Sequence, residues 1–425
     1  MILGIDTCHI RGVGGTVTHL VELLRVADPL AHGFSQVIAW GDQAILDRIE
    51  HRPWLLKSRQ PLLDKSLLHR LYWQRYRLPR LAREAGCAVL FVPSGSFLCD
   101  FRPTVTMSQN MLPFEWRELR RFGGSWMTVR LVVLRLVNAH SFRRADGLIF
   151  LTRYARDFVM RTIKTTAAKT TLIPHGIGGQ FACPGREQMA ISQYSTDRPF
   201  RVVYVSSVSM YKHQWQAVEA VAQLRASGVP VALELVGAAY PPALKRLKRT
   251  LDRVDPSEQF ARYSGTVPYG EMHTRYRAAD LCLFASSCEN LPNNLLEGMA
   301  SGLAIACSNR GPMPEVLGEA GLYFDPENPR SMASALKTLI DSPELRARMA
   351  KASFERSRAY SWTRCARSTL DVLAEVARAR ATSGAMPFHE ADWRPEHGIV
   401  DTCQTRPDNA ADVDPGAANR TGSFN

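Results

Sequence analysis

Two glutamates eight residues apart, Glu289 and Glu297, have the residue type and spacing best suited to chemistry. They follow an apolar run, Leu281–Ala285, that predicts a buried parallel strand, and Pro292 and Gly302 suit the first turn and the end of the next helix. Open α/β sheets bind ligands at the carboxyl ends of their strands, and the free amides of a helix N-terminus can receive a phosphate. A carboxylate there can accept two hydrogen bonds from a vicinal diol such as a ribose. The alternative is a loop charge and a solvated helix residue with no ligand.

A lysine and a glycine loop could complete such a site. Lys212 opens a helix predicted over 212–227, directly after an apolar run, so its ammonium could neutralise a diphosphate, although lysines at helix starts are often only solvated. Gly12, Gly14 and Gly15 follow the first predicted strand and precede a helix. Glycines allow close backbone approach to a ligand, and the missing Gly-Lys-Ser or Gly-Lys-Thr excludes a Walker loop.

These segments together resemble the retaining glycosyltransferases of family four, whose GT-B fold places two Rossmann-like domains across a cleft. The E-x7-E motif of that family matches Glu289 and Glu297. The resemblance implies a nucleotide-sugar donor, with Glu297 on the ribose and Glu289 facing the transferred sugar. It also implies further donor contacts from Asn290, Leu291, Pro292, Asn293, Gly14 and Gly15.

The sequence departs from the family pattern at the diphosphate. The family has a Gly-Arg pair six residues before its lysine, and here Ser206 and Ser207 stand at those positions. Ser207 is therefore the expected donor contact, and Arg310 is a candidate for the missing charge.

A second departure concerns the reacting centre. Many family members carry a His-Asp pair where this chain has Gln109 and Asn110. Neither side chain titrates, so neither can be a general base, but Gln109 could hydrogen-bond the sugar. This fits a front-face retaining mechanism, in which the leaving phosphate takes the acceptor proton. His175 stands where the family usually has Asn, and we expect it to pack between the domains.

The predicted catalytic residues are therefore Glu289, Lys212 and Gln109. Residues 1–381 contain no DxD motif and no His or Cys cluster with metal-ligand spacing. We expect neither a cofactor nor a metal, and assign the diphosphate to Lys212 and to helix amides.

The elements that must position these residues alternate between apolar runs and helical patterns, as in parallel βαβ units. We predict an α/β GT-B fold with an acceptor-side Rossmann-like domain over 1–185, a linker over 186–199 and a nucleotide-sugar domain over 200–358. C-terminal helices are expected to pack back on the N-terminal domain, the last of them over 359–381, and the composition of 382–425 predicts a disordered tail. The predicted strands are Ile2–Asp6, Gln36–Trp40, Ala88–Val92, Thr104–Met107, Gly147–Leu151, Thr171–Ile173, Arg201–Val205, Val231–Val236, Phe260–Tyr263, Leu281–Ala285 and Leu303–Cys307.

The net charge of +13 is concentrated in the first part of the chain, because residues 1–170 carry 25 basic against 13 acidic side chains. Two stretches there, 52–83 and 116–144, mix arginine with tryptophan and leucine. They predict a peripheral surface for an anionic membrane and a lipid-linked acceptor, with a solvated helix face as the alternative. No recognisable nucleic-acid module is present, so no nucleic-acid partner is expected.

The cysteines and apolar segments suggest a compartment. The nine cysteines are scattered and form no CxxC pair, which favours a reducing cytoplasmic environment. The start MILGID does not have a signal-peptide pattern, and no apolar segment reaches the length of a membrane span. We expect a cytoplasmic protein that is soluble or peripheral at the inner face of a membrane.

The resulting hypothesis is a retaining, metal-independent transfer of a hexose-type sugar from a nucleotide diphosphate sugar to a hydroxyl of a glycan or lipid-linked acceptor, in cell-surface polysaccharide synthesis. The alternative is a non-catalytic protein of the same fold that binds sugar nucleotides or polyanions.

Overall fold

The computed structural model describes residues 1–12, 14–164 and 170–381. The predicted disordered tail, 382–425, lies outside the described residues.

The N-terminal part of the chain forms a seven-stranded parallel sheet. Its strands are β1 (Ile2–Asp6), β2 (Gln36–Gly41), β3 (Leu55–Arg59), β4 (Cys87–Val92), β5 (Thr104–Met107), β6 (Gly147–Phe150) and β7 (Thr170–Leu172). They pair in the order β3-β2-β1-β4-β5-β6-β7. Both faces of this sheet are covered, so β5 and β6 are buried at every residue.

Helices and one π-helical turn surround this sheet. The helices are α1 (Gly15–Val26), α2 (Gln43–Leu46), α3 (Leu67–Tyr72), α4 (Leu78–Glu84), α5 (Trp116–Leu119), α6 (Trp126–Arg144) and α7 (Arg153–Ile163). The π-helical turn Trp73–Arg77 joins α3 to α4.

The second sheet has six parallel strands. They are β8 (Phe200–Val205), β9 (Val231–Val236), β10 (Ala261–Gly265), β11 (Leu281–Phe284), β12 (Ala304–Ser308) and β13 (Leu322–Phe324), in the order β10-β9-β8-β11-β12-β13. Its helices are α8 (Gln214–Ala226), α9 (Pro241–Val254), α10 (Met272–Ala278), α11 (Asn293–Ala300), α12 (Met313–Leu317), α13 (Pro329–Asp341) and α14 (Pro343–Ser357).

One C-terminal helix returns to the first sheet. Helix α15 (Trp362–Ala381) packs against α1, β4 and β6, as predicted, whereas α14 stays with the second sheet against α11 and β12. Among the described helices, none combines the length and the apolarity that crossing a membrane requires.

The structure corrects several sequence predictions. Strands β3 and β13 were not predicted, because β3 is an edge strand with one buried apolar residue and β13 has three residues. Helix α8 begins at Gln214 rather than Lys212, since His213 adopts a left-handed conformation with φ of 55°. Within the stretch assigned to a membrane surface, Trp73 is buried in the core.

The two halves meet along a seam beside the cleft. The Glu315 carboxylate accepts hydrogen bonds from the backbone N–H groups of Arg153 (2.8 Å) and Tyr154 (2.9 Å), the first residues of α7. Helix N-termini have unsatisfied donors and a partial positive charge, so this carboxylate from the second half caps a helix of the first. Glu327 of the second half pairs with Arg117 and Arg121 of the first.

Candidate functional site

A cavity of about 230 Å³ opens between the two halves of the chain. The N-terminal half contributes Gly15, Thr16, Gln109, Leu151 and His175, and the C-terminal half contributes Glu289, Asn290, Leu291, Asn293 and Asn294. Six of the ten belong to the predicted site: Gly15, Gln109, Glu289, Asn290, Leu291 and Asn293. The fold thus brings residues up to 279 positions apart onto the walls of one cavity.

Glu289, which lines the cavity, forms an ion pair with Lys212. The Lys212 Nζ also lies 5.1 Å from the centroid of the Tyr211 ring and 5.8 Å from that of Phe284. Both charged side chains are largely buried. Removing one partner of such a pair leaves an uncompensated buried charge. A polyanionic ligand that separates Lys212 from Glu289 must therefore neutralise the Lys212 ammonium in place of the carboxylate.

The backbone near Lys212 is fixed by hydrogen bonds. The Tyr204 hydroxyl, fully buried on β8, donates to the Lys212 carbonyl at 2.6 Å, and the Lys212 N–H donates to the Ser209 carbonyl at 3.1 Å. The loop after β8 is therefore anchored to its own strand, which limits where the ammonium can reach.

Glu297 lies buried on α11 and is not among the described residues that line the cavity. Burial raises its pKa from 4.5 to about 8, and hydrogen bonds from Tyr276 and Tyr269 oppose the rise. The Tyr276 hydroxyl is 2.9 Å from the Asn294 carbonyl and 3.2 Å from Glu297 Oε2. A phenol has one proton, and if it goes to the carbonyl, a protonated Glu297 can donate to the phenol oxygen.

Two other glutamates behind Glu289 were missed by the sequence interpretation. Burial raises the pKa of Glu115 to about 7, although the Tyr154 hydroxyl donates to it at 3.0 Å. Glu118 is buried, accepts from the Ser287 hydroxyl at 2.6 Å and pairs with Arg121. The predicted basic surface over 116–144 therefore begins at the seam, where an acidic residue is enclosed.

Gln109 and His175 approach the cavity from the first half. The Gln109 Nε2 donates to the Pro93 carbonyl at 2.9 Å and lies 3.4 Å from His19 Nδ1. The His175 ring stacks on His19, with centroids 4.6 Å apart, and on Trp362 of α15, at 5.5 Å. Burial lowers the pKa of His175 to about 4, so this ring is neutral at pH 7.

The polar lining contains atoms with unused hydrogen-bonding capacity. Neither ring nitrogen of His175 makes a hydrogen bond of good geometry within the described residues, although Asn293 is close enough to oppose the fall in its pKa. The Oδ1 atoms of Asn290 and Asn293 are also buried without a partner there. Buried polar groups are normally paired, so these atoms are candidates to bind a hydroxyl-rich ligand.

The remaining predicted residues are not part of the described cavity lining. Gly14 precedes α1 with φ of 144°, and Pro292 precedes α11. Ser207 is exposed, its carbonyl accepts from Gln214 Nε2 at 3.0 Å, and it is not in the described lining. Arg310, the suggested replacement for the missing arginine, is instead paired with Asp325 at 3.2 Å.

Four of the described residues line the cavity but were not predicted as site residues, and they differ in how much information the sequence contains about each of them. His175 was noticed for its family position and was expected to pack between the domains; its ring stacks on Trp362 and also lines the cavity. Thr16 and Asn294 each adjoin a predicted residue, whereas nothing in the sequence distinguished Leu151. Among the described residues, no three His, Cys, Asp or Glu side chains come together to hold a metal, and metal independence stays a prediction.

Residues 186–356, which include Lys212, Glu289 and Glu297, match the family model described as "Glycosyl transferases group 1". This match lies within the second half of the chain and supports a glycosyltransferase-type domain there. One curated relative, a "D-inositol 3-phosphate glycosyltransferase" of Corynebacterium glutamicum, is 35% identical over 107 residues, which are 25% of this chain and 26% of the relative. The chain therefore spans about a quarter of the length of that relative.

Solved structures resemble this chain over most of its length. Sucrose-phosphate synthase from Thermosynechococcus elongatus has a TM-score of 0.71 at 19% identity, covering 90% of this chain and 100% of that one. Anabaena HepE in complex with UDP-glucose has a TM-score of 0.62 at 18% identity, covering 90% and 99%. Together with the two parallel sheets, these likenesses confirm the predicted GT-B fold.

The buried Glu297 carboxyl predicts an unusual pH dependence of stability. Its folded pKa of about 8 lies above its ordinary value of 4.5, so the wild type loses stability as the pH rises through that window. Glu297→Gln removes the ionisation, and its stability relative to the wild type should rise from pH 5 to pH 8, by at most about 1.4 kcal/mol per pH unit. Chemical denaturation at each pH measures this, with the exposed Glu187→Gln as control. A constant difference would show that Glu297 is ionised throughout.

Proposed function

We propose that this chain transfers a hexose-type sugar from a nucleotide diphosphate sugar to a hydroxyl of a glycan or lipid-linked acceptor, with retention of configuration and without a metal. The observation that carries the proposal is the ion pair of Lys212 with Glu289, which lines a cavity together with Gln109 and Gly15 of the first half. The Lys212 ammonium is the cation that would bind a diphosphate, and the cavity beside the pair has polar side chains from both halves of the chain. Synthesis of cell-surface polysaccharide on the cytoplasmic side of a membrane belongs to the same proposal.

The donor is assigned to the second half of the chain. Lys212 neutralises the diphosphate, Glu297 receives the ribose, and the loop 290–293 with α11 offers backbone N–H groups to the phosphates. The UDP-glucose complex of HepE, a protein of the same fold, supports this class of ligand. The loop is held in advance, because the Thr152 hydroxyl donates to the Asn290 carbonyl at 3.0 Å and Asn290 Nδ2 donates to the Ser108 carbonyl at 3.0 Å. Groups fixed before the ligand arrives cost little reorganisation in the reaction.

In this proposal, retention of configuration follows because Gln109 and His175, which line the cavity, are not suited to act as a general base. Gln109 does not titrate, and burial lowers the pKa of His175 to about 4, so neither is matched to proton abstraction near pH 7. The bond between the anomeric carbon and the phosphate oxygen breaks, and the acceptor oxygen bonds to that carbon on the same face. The acceptor proton passes to the departing phosphate oxygen. Lys212 stabilises the charge that develops on the diphosphate.

A non-catalytic binding protein on the same fold is the competing function. The observation that favours it is Ser207, exposed at the position where the family has arginine, which leaves Lys212 with the diphosphate charge. Release of nucleotide diphosphate from a donor by the purified chain supports the enzyme, and tight donor binding without turnover supports the competitor.

Metal independence and the role of Lys212 can be tested together. We expect transfer to survive an excess of EDTA and Lys212→Ala to lose about a hundredfold or more in kcat, the usual loss when a preorganised electrostatic group is removed. Lys248→Ala, an exposed lysine of the same domain, is the matched control, and thermal unfolding checks that Lys212→Ala is folded. Loss of activity in EDTA with recovery in Mg²⁺ would refute the assignment of the diphosphate.

The acceptor side of the proposal includes an anionic membrane surface. Exposed apolar side chains occur in both basic stretches, among them Leu68 (76% exposed) and Trp126 (80%), with Leu67, Tyr72, Val133 and Leu136. Apolar residues that enter the membrane interface beside arginines that meet lipid phosphates are typical of peripheral binding.

Replacing Arg75, Arg77 and Arg80 by Ser should weaken binding to anionic vesicles while leaving nucleotide affinity unchanged. Each basic residue near such a surface contributes about 1 kcal/mol, and salt screens that attraction. The matched control replaces three exposed basic residues of α9, Lys245, Lys248 and Arg249, by Ser. Equal vesicle binding by both triple variants, or no co-sedimentation of the wild type at low salt, would contradict the membrane proposal.

A further inference from the structure

A polar cluster lies at the carboxyl end of β1, and the donor site does not use it. Asp6 is fully buried and accepts a hydrogen bond from Gln74 Nε2 at 2.6 Å. The Gln74 Oε1 accepts from the Leu98 N–H at 3.2 Å and is 3.3 Å from His9 Nε2. Gln74 belongs to the π-helical turn that joins α3 to α4, and such turns occur often at functional sites. The cluster therefore fixes the loop after β1 against this helical segment.

Two arginines meet beside this cluster. Arg11, in the glycine loop, pairs with Asp42 at 3.4 Å and donates to the Leu63 carbonyl. Arg70, on α3, is half-buried, and its Nε is buried without a hydrogen-bond partner within the described residues. Burial and repulsion by Arg11 lower the pKa of Arg70, although Cys8 and Asp42 oppose the fall. The pair thus keeps positive charge that the surrounding described side chains do not fully neutralise.

The position of the pair relates it to the cleft. The loop that carries Arg11 continues into Gly15 and Thr16, which line the cavity. The helix that carries Arg70 exposes Leu67, Leu68 and Tyr72 to solvent. Arg11 is therefore four residues from a segment of the proposed reaction site, and Arg70 is on the helix that carries the exposed apolar residues.

We propose that Arg11 and Arg70 bind a phosphate group of the acceptor. Guanidinium groups present several N–H donors in a plane that matches phosphate oxygens, and the unused Nε of Arg70 is such a donor. The inference rests on the proposed function, because it names the chemistry of the acceptor for that reaction. The phosphate belongs either to a lipid headgroup or to a soluble phosphorylated acceptor.

Inorganic phosphate tests the site directly in the full chain, by calorimetric titration with and without a saturating nucleoside diphosphate. Arg70→Gln should weaken phosphate binding about tenfold, the loss expected for one charge-assisted hydrogen bond, and Arg70→Lys should lose less. Arg249→Gln, at an exposed arginine of α9 outside both basic stretches, should stay within about twofold of the wild type, a factor below the effect of one hydrogen bond. The Arg70 side chain has no ion-pair or hydrogen-bond partner among the described residues, so its replacement breaks no such native contact.

The titration with nucleoside diphosphate distinguishes a failure of the proposed function from a failure of the proposed phosphate site. Nucleoside diphosphate affinity should be equal in all these variants; if none binds, the proposed function fails while the phosphate comparison still reports on Arg70. Phosphate binding by Arg70→Gln that equals the wild type, or no binding by the wild type at millimolar phosphate, would overturn the inference.

Vesicles identify the source of the phosphate. Phosphatidylcholine vesicles with phosphatidic acid are compared with phosphatidylcholine alone in co-sedimentation. A larger loss for Arg70→Gln than for Arg249→Gln on the phosphatidic acid vesicles supports a lipid headgroup. Equal vesicle binding, together with weakened binding of inorganic phosphate, supports a soluble phosphorylated acceptor.

Discussion

The ion pair between Lys212 and Glu289 is the interaction on which the site depends. Its partners follow β8 and β11, neighbours in the second sheet, so the parallel arrangement brings their carboxyl ends together. Two buried charges are costly unless each compensates the other, and here they are also held by the bond from Tyr204 to the Lys212 carbonyl. The cleft thus has a cation beside a carboxylate, and in the proposed reaction Lys212 pairs with the diphosphate while Glu289 faces the ligand.

The first domain holds this arrangement from the other side. Asn290 is bonded to Ser108 and Thr152, and Glu315 caps the helix that begins one residue after Thr152. The donor loop and the N-terminus of α7 therefore form one connected network across the seam. Positioning of this kind brings the two substrates to their reacting distance before chemistry begins, which can supply a large part of a rate enhancement.

Much of the fold and part of the site could be predicted from the sequence. Apolar periodicity predicted the buried strands, and the E-x7-E spacing predicted that Glu289 belongs to the site. Strand β3 was not predicted, because an edge strand needs few apolar residues. The protonation of Glu297 depends on its depth behind Tyr276, which spacing does not reveal. The interaction of Arg11 with Arg70 and the burial of Trp73, which composition alone had assigned to a membrane surface, both depend on tertiary packing that composition does not reveal.

The central claim, a front-face transfer at this seam, is tested most directly by the stereochemistry of the product. Proton NMR can follow the purified chain with α-linked nucleotide diphosphate hexoses, either with an acceptor or during slow hydrolysis by water. The account predicts that the first sugar product has the α configuration, before mutarotation, and that nucleotide diphosphate is released in equal amount. A first product with the β configuration would contradict the account, because inversion requires attack from the opposite face and a base to take the acceptor proton.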